Sequence, residues 1–456
     1  MKNFIASMFF FCGLFFAGLG LASNLVTVEV MDDSTTYGEV NDFSISPIDL
    51  SGIQKCDSNP IVVVKPIFSS ESGSYPYEYI SKSGYFSIWS AHQKSHPKML
   101  FVDKGCVSIS DLSSRFSSFV RKKNDGSYQL EGLLLIGRNA SLLIDNTSLL
   151  LDNTSGALIV NLGSLTITDS KVYVKDSNAI NEKFNSFILN WNPSDVYIKD
   201  SQIHGLGSSF KNGAGLVLSE NKHSHDSGPS RLQISGSVIS GNYVGLSVSS
   251  SLVQIDSTVF ENNKKHSVVS RNSSMSFADS RVLNTIDGAG MVCRFTSSNV
   301  PAQINVSSSI FSYNSGSGFE LTNEEGGSFP VSALIKDNTF IANEKNGVYV
   351  NSLVELNVVG NKFLSNKGHG LEFFSGSSEQ VRLKPALFFD NYFLGNTASA
   401  LSSKKYSRFI LRGNTFKSST LSFKVFGGGL RFYQDEILKP AISARAPVLV
   451  TMSGKK

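Results

Sequence analysis

Ala333-Leu-Ile-Lys-Asp-Asn-Thr-Phe-Ile-Ala-Asn-Glu-Lys-Asn-Gly-Val-Tyr-Val350 and Leu356-Asn-Val-Val-Gly-Asn-Lys-Phe-Leu-Ser-Asn-Lys-Gly-His-Gly-Leu-Glu-Phe373 align without a gap. Both read apolar-x-apolar, a Ser or Asn, a pair with Phe, then Asn, Gly and apolar-x-apolar again. Variants of this pattern recur from about Arg231 to Thr420. A turn asparagine returns at Asn242, Asn262, Asn284, Asn314, Asn343, Asn366 and Asn396, spaced by 20, 22, 30, 29, 23 and 30 residues. A phenylalanine keeps one phase at Phe260, Phe311, Phe340, Phe363, Phe393 and Phe416. Periods of this size, built from short alternating runs, predict stacked repeats of strands; helical repeats would need apolar residues at 3.6 spacing over ten or more positions. Coils stacked about 4.8 Å apart pair each backbone N–H and C=O with the next coil. They also align the Phe into an interior ladder and the Asn into a turn ladder. The expected fold is all-β, a parallel β-helix made right-handed by crossover chirality.

Outward from this stretch, Leu133–Ile136, Ser141–Ile144, Ser148–Leu151, Ala157–Val160 and Ser164–Ile167 already read as regular strands. One elongated β-helix over 125–425 follows, long enough for about ten to twelve coils. Residues 23–124 show no repeat. Ile61–Pro66 and Lys98–Asp103 read as strands there, and Ser110 to Arg121 as a short helix. An open β-helix end exposes unpaired backbone groups, so this segment is expected to cap it. After Ser422 the pattern fades into a tail, 426–456, with a last strand and a cover. Residues 1–22 carry Lys2, an apolar run and a small-residue cleavage site at Gly20-Leu-Ala22, a secretory signal that implies export.

Cys12 leaves with the signal. Cys56, Cys106 and Cys293 then allow at most one disulfide, Cys56 with Cys106 being nearer in sequence, or three buried small apolar residues. The formal charge of +4 is small and evenly spread, which argues against a nucleic-acid partner. Charged residues make up only 17% of the chain, a composition that suits polar turns on a β-solenoid.

Several segments in order resemble the periplasmic mannuronan C-5 epimerases of bacterial alginate export. Lys98-Met-Leu-Phe-Val-Asp-Lys-Gly-Cys-Val-Ser-Ile-Ser-Asp-Leu112 resembles the segment leading into that family's helix. Phe187-Ile-Leu-Asn-Trp191 is similar to its Ser-Trp strand, with Asn190 in place of the serine. Leu206-Gly207 followed by Lys211 and Gly215, the run Lys264-Lys-His-Ser-Val-Val-Ser-Arg271, and Asn366-Lys-Gly-His-Gly370 continue the likeness.

The resemblance implies removal of the C5 proton of a mannuronate within the polymer. A basic group neutralises the carboxylate, and a proton returns on the opposite face to give guluronate. It implies no cofactor and no metal. Its partners would be an anionic, alginate-like polysaccharide and periplasmic export-complex proteins, with the chain a monomer and no membrane span after signal removal.

The family's acid and base lie in an Asp-Pro-His-Asp motif, and this sequence contains no Asp-Pro dipeptide. One coil before Lys264 the phase falls on Gly245-Leu-Ser-Val-Ser-Ser250, where small hydroxyl residues cannot abstract a carbon-bound proton unaided. His266 is the titratable base nearby and the candidate catalytic residue. Arg271, Lys265, Lys264, Lys211 and His369 are the candidate substrate-binding residues, Arg271 matching the family's groove arginine. Each is equally a residue type found on solvated β-helix turns.

His223-Ser-His225-Asp226 has metal-ligand spacing but sits in a Ser, Lys and Gly loop without a fourth ligand, so no metal site is assigned. The Asn-x-Ser/Thr sequons at Asn139, Asn146, Asn153, Asn272 and Asn305 are read as turn chemistry. Three function classes remain: an epimerase with a rearranged site, a non-catalytic polysaccharide-binding or export protein, and a polysaccharide lyase.

Overall fold

The computed structural model of the chain describes residues 25–31, 56, 59–67, 98–175, 184–191, 193–209, 213–219, 228–296, 302–324, 331–351, 354–375, 383–417, 425–443 and 447–453. The signal segment, Lys211 and the His223–Asp226 stretch lie outside these residues. Each coil contributes three strands, as in Val331–Lys336, Thr339–Ile341 and Val348–Asn351. The next coil repeats them at Val354–Val359, Lys362–Leu364 and His369–Ser375, all parallel and in register. The chain is thus a right-handed parallel β-helix with three strand stacks.

Period-2 alternation sends every second side chain inward, and one buried core runs the length of the stack. In the second stack Phe340 pairs with Phe311 and Phe363, and Phe363 with Phe393. Their ring centroids lie 5.0, 5.3 and 4.7 Å apart, nearly face to face. Such a ring pair contributes about 0.5–1.5 kcal/mol beyond its area burial. Val282 occupies this column between Phe260 and Phe311, and Phe277 of the neighbouring strand bridges the gap at 6.0 and 5.8 Å.

The asparagine ladder is present, shifted by one residue at two coils. Asn314, Asn343, Asn366 and Asn396 are joined side chain to side chain, and each also accepts a backbone N–H from the coil before. In the earlier coils the rungs are Asn263 and Thr285, not Asn262 and Asn284. Asn262 and Asn284 instead take the left-handed turn position, at φ of 54° and 53°, which asparagine tolerates better than most residues. A second internal ladder follows the first strand, through Ser170, Ser201, Ser280 and Ser309 and then Asn338, Asn361, Asn391 and Asn414.

At the N-terminal end, parallel stacking already begins at Lys98–Ser108, which lies on Leu133–Asp145. The helix Ile109–Arg115 follows, opened by a capping box between Ser108 and Asp111, and buries Ile109 and Leu112 over the end of the core. Ile61–Pro66 adds an antiparallel strand to Lys98–Ser108, and a disulfide joins Cys56 to Cys106. Closing this loop, 50 residues in sequence separation, contributes about 4 kcal/mol in the chain-entropy picture. Cys293 remains a buried thiol whose pKa burial raises to about 12, so it is inert core.

Leu25–Val30, expected within the N-terminal cap, lies at the opposite end. It pairs antiparallel with Val448–Ser453, which pairs antiparallel with Ser407–Arg412 of the first stack. The last parallel strand leaves an open edge, and two antiparallel strands cover it. Leu430 and Ile437 of the C-terminal segments are buried against the same end of the core.

Candidate functional site

The third stack has outward-phase positions, some buried and some open to solvent, whose residues change from coil to coil. Register places Val269, Val292, Glu320, Tyr349, Glu372 and Ser402 in one outward column. Two residues further along each strand, Arg271, Arg294, Thr322, Asn351, Phe374 and Lys404 form a second. Columns advance by about 4.8 Å per coil, close to the length of one sugar in an extended polymer.

Of the residues singled out in the sequence, Lys264, Lys265, His266 and Arg271 lie together. Val268–Arg271 forms a third-stack strand, and the turn before it carries the other three. Lys264 places its ammonium 5.7 Å from the Tyr243 ring centre. Lys265 is ion-paired with Asp287, and hydrogen bonding to that carboxylate raises its pKa. His266 is half-buried, its ring packed against Gly288, and Nδ1 faces the Ala289 carbonyl at 3.2 Å. A carbonyl only accepts, so Nδ1 carries the proton. Burial, the largest influence, lowers the His266 pKa, and Glu320 partly opposes that.

Arg271 is exposed and stands directly beside Arg294. Neither guanidinium has a hydrogen-bond or ion-pair partner among the described residues. Ser247 and Ser249 pair with Val269 and Arg271, so the hydroxyl-bearing coil stacks on Val268–Arg271 itself. Asn190 points inward, where it accepts from Asn161 at 3.0 Å and donates to the Val217 carbonyl at 3.1 Å.

His369 opens a third-stack strand four coils further on, and register surrounds it with residues the sequence did not single out. Its backbone N–H donates to Asn346 Oδ1 at 2.8 Å, and its ring Nδ1 lies 2.7 Å from Ser399 Oγ. Glu372, only 6% exposed, accepts from Asn346 Nδ2 at 3.0 Å and from Lys404 Nζ at 2.7 Å. Burial of this kind is tolerated because both carboxylate oxygens are paired. Tyr349 stands between Glu320 and Glu372 in its column and meets the edge of Phe374 at 5.8 Å. Burial, and then the Glu372 charge, raises the Tyr349 pKa; burial lowers that of His369. Ser402 Oγ, wholly buried beside Glu372, has no hydrogen-bond partner among the described residues. Tyr349, Glu372 and Lys404 are separated by 23 to 32 residues, so only the outward phase of each coil could have flagged them.

Residues 186–363 match the family model of the right-handed β-helix region. A solved periplasmic alginate epimerase, AlgG, is similar at 16% identity with a TM-score of 0.62, over 83% of this chain and 99% of that one. A point mutant of AlgG is similar at 16% identity with a TM-score of 0.65, over 79% and 86%. No curated protein matches the sequence. The resemblance first read from scattered segments is therefore one of whole architecture: this chain is a right-handed parallel β-helix with the fold of the periplasmic alginate epimerase structures.

Proposed function

We propose that the chain binds an alginate-type acidic polysaccharide along the outward face of the third stack, in the periplasm. The observation that carries this is the pair Arg271 and Arg294, side by side and neither in an ion pair among the described residues. Like charges directly opposite on neighbouring strands destabilise a sheet. A polymer bearing a carboxylate on each sugar removes that repulsion and accepts charge-assisted hydrogen bonds from both guanidiniums. The column continues through Thr322, Asn351 and Phe374 to Lys404, so polar donors and a third cation extend along the axis. The secretory signal read at 1–22 and the Cys56–Cys106 disulfide both suit an oxidising exported compartment.

Binding is tested with purified mature protein on polymannuronate and on an uncharged glucan. Retention on polymannuronate alone, weakened by salt and about tenfold by Arg271→Ala, is expected. Equal retention on the uncharged polymer would sink the reading. A second reading, a carrier that performs no chemistry, is favoured by Ser247 and Ser249, which stand beside Arg271 without a base.

A further inference from the structure

We infer that the edge strand Leu25–Val30 is a docking surface for a second copy of this chain. The second copy adds its own Leu25–Val30 antiparallel and joins two β-helices end to end about a two-fold axis at Val28. This stands apart from the polyuronate reading and replaces the monomer that the resemblance implies.

Leu25–Val30 pairs with Val448–Ser453 on one side, and no strand of the described residues lies on its other side. Met31 N–H donates to the Pro447 carbonyl at 2.9 Å, which sets the phase of the ladder. Hydrogen-bonded positions alternate in an antiparallel pair. Thr27 and Glu29 therefore bond to Val448–Ser453, while the N–H and C=O groups of Val26, Val28 and Val30 point away from it. Those outward groups have no hydrogen-bond partner among the described residues.

Natural sheets blunt a free edge with Lys, Pro or a bulge. The free edge at the other end of the stack, Ile61–Pro66, carries Lys65 and Pro66. Leu-Val-Thr-Val-Glu-Val has neither, and its β-branched residues suit strand pairing. Val30 stands 57% exposed at the rim. The same end of the stack carries Phe432, 70% exposed in the turn Gly429–Tyr433, so apolar surface extends beyond the strand itself.

The register selects the occupant. A two-fold axis at Val28 sets Val28 opposite its own copy, Val26 opposite Val30, and Thr27 opposite Glu29. Val26 and Val28 pack against the core, and Val30 shares their phase, so all the valines stay on one face of the extended sheet. Thr27 and Glu29, both exposed, share the other. The valines are also the residues with free backbone groups, so each opposed valine pair exchanges two N–H···O=C bonds. A slip of one residue would set valine against Glu29 or Thr27 and bring already bonded groups to the edge. Glu29 meets Thr27 and not its own copy, so no like charges are directly opposed. The strand is thus complementary to itself in pleat, in hydrogen bonding and in charge, as an interface between identical subunits requires.

The test measures the mass of the purified mature protein by sedimentation equilibrium from about 1 to about 100 μM. Twice the chain mass is expected. Val30→Lys should raise the dimer dissociation constant about tenfold or more, because each ammonium would be buried against Val26 of the second copy. Val64→Lys, on the exposed edge at the other end, should leave it unchanged. The double variant Thr27→Cys, Glu29→Cys reads the register. Its cysteines are opposed at non-hydrogen-bonded positions, about 4.5 Å apart between Cα atoms, within disulfide reach. Oxidation with diamide should give covalent dimers from the double variant and none from Thr27→Cys alone. Both positions are exposed, so this readout holds even if the Val30 variant misfolds. Wild type that keeps a single chain mass at every concentration overturns the proposal and leaves the edge to the strand of a different protein. A dimer unmoved by Val30→Lys, or a double variant that does not cross-link, overturns it equally.

Discussion

The inward columns and the outward face of the third stack are built by the same coils and obey opposite rules. Inside, each coil repeats its neighbour: Phe311, Phe340, Phe363 and Phe393 stack ring on ring, and Asn314, Asn343, Asn366 and Asn396 bond amide to amide. Outside, Val292, Glu320, Tyr349, Glu372 and Ser402 follow one another without repetition. A stack gains most when identical groups meet at the coil spacing, so repetition marks what holds the fold. Departure from repetition on an otherwise regular column marks positions that stacking does not dictate. In this chain those positions collect Glu320, Glu372, Arg271, Arg294, Lys404 and Tyr349.

The strongest way to break the comparison is inside. Phe340→Ala removes a wholly buried ring between two others and should cost about 3–5 kcal/mol, read as a lower urea midpoint. Asn343→Ala should cost about 2–4 kcal/mol. Its amide donates to the Phe311 carbonyl and to Asn366 Oδ1 and accepts from the N–H and amide of Asn314, and the deletion strands those groups in a dry interior. A loss below about 1 kcal/mol for either would mean that neighbouring coils relax to refill the column.

Outside, Arg271→Ala should weaken polymannuronate binding about tenfold and leave stability within about 0.5 kcal/mol, since it relieves the repulsion with Arg294. A smaller effect comes from pH. His266 and His369 both have pKa values lowered from 6.5, so the unfolded chain takes up protons before the folded one does. The stability they contribute is complete above pH 6.5 and is lost as pH falls through that value toward their folded pKa values. Melting temperatures measured between pH 7.5 and pH 5 should show this fall, flattened in the His266→Gln, His369→Gln double variant. The smallest effect sharpens the contrast: Tyr349→Phe should leave the urea midpoint almost unmoved, by about 0.5 kcal/mol or less, because that hydroxyl sits on the unrepeated face.

Much of the interior was legible from residue order, because the feature that stabilises a coil is one that recurs at the period. Phe340 and Phe363 announce themselves by spacing, as do Asn343 and Asn366. The two asparagine errors have a local cause. In Asn262-Asn263 either residue satisfies the spacing, and only the left-handed backbone at Asn262 separates turn from rung. At Asn284-Thr285 the rung is a threonine that no asparagine count would find. Phe277 filling the hole left by Val282 was hidden because it comes from another strand.

The polar face was legible only in fragments. Lys264, Lys265, His266 and Arg271 are neighbours in sequence and were read together, yet Lys265 proves to be tied to Asp287. Asn346, Tyr349, His369, Glu372, Ser399 and Lys404 meet through register across three coils whose lengths differ, 23 residues in one step and 30 in the next. Sequence by itself determined the coil, its period, its handedness and its inner columns, because those follow from alternation and repetition along the chain. Tertiary structure alone decided which outward residues share a column and which end Leu25–Val30 closes. It also decided that Cys56 meets Cys106. Each of these depends on how loops of unequal length bring distant strands into register, and no spacing along the chain encodes that.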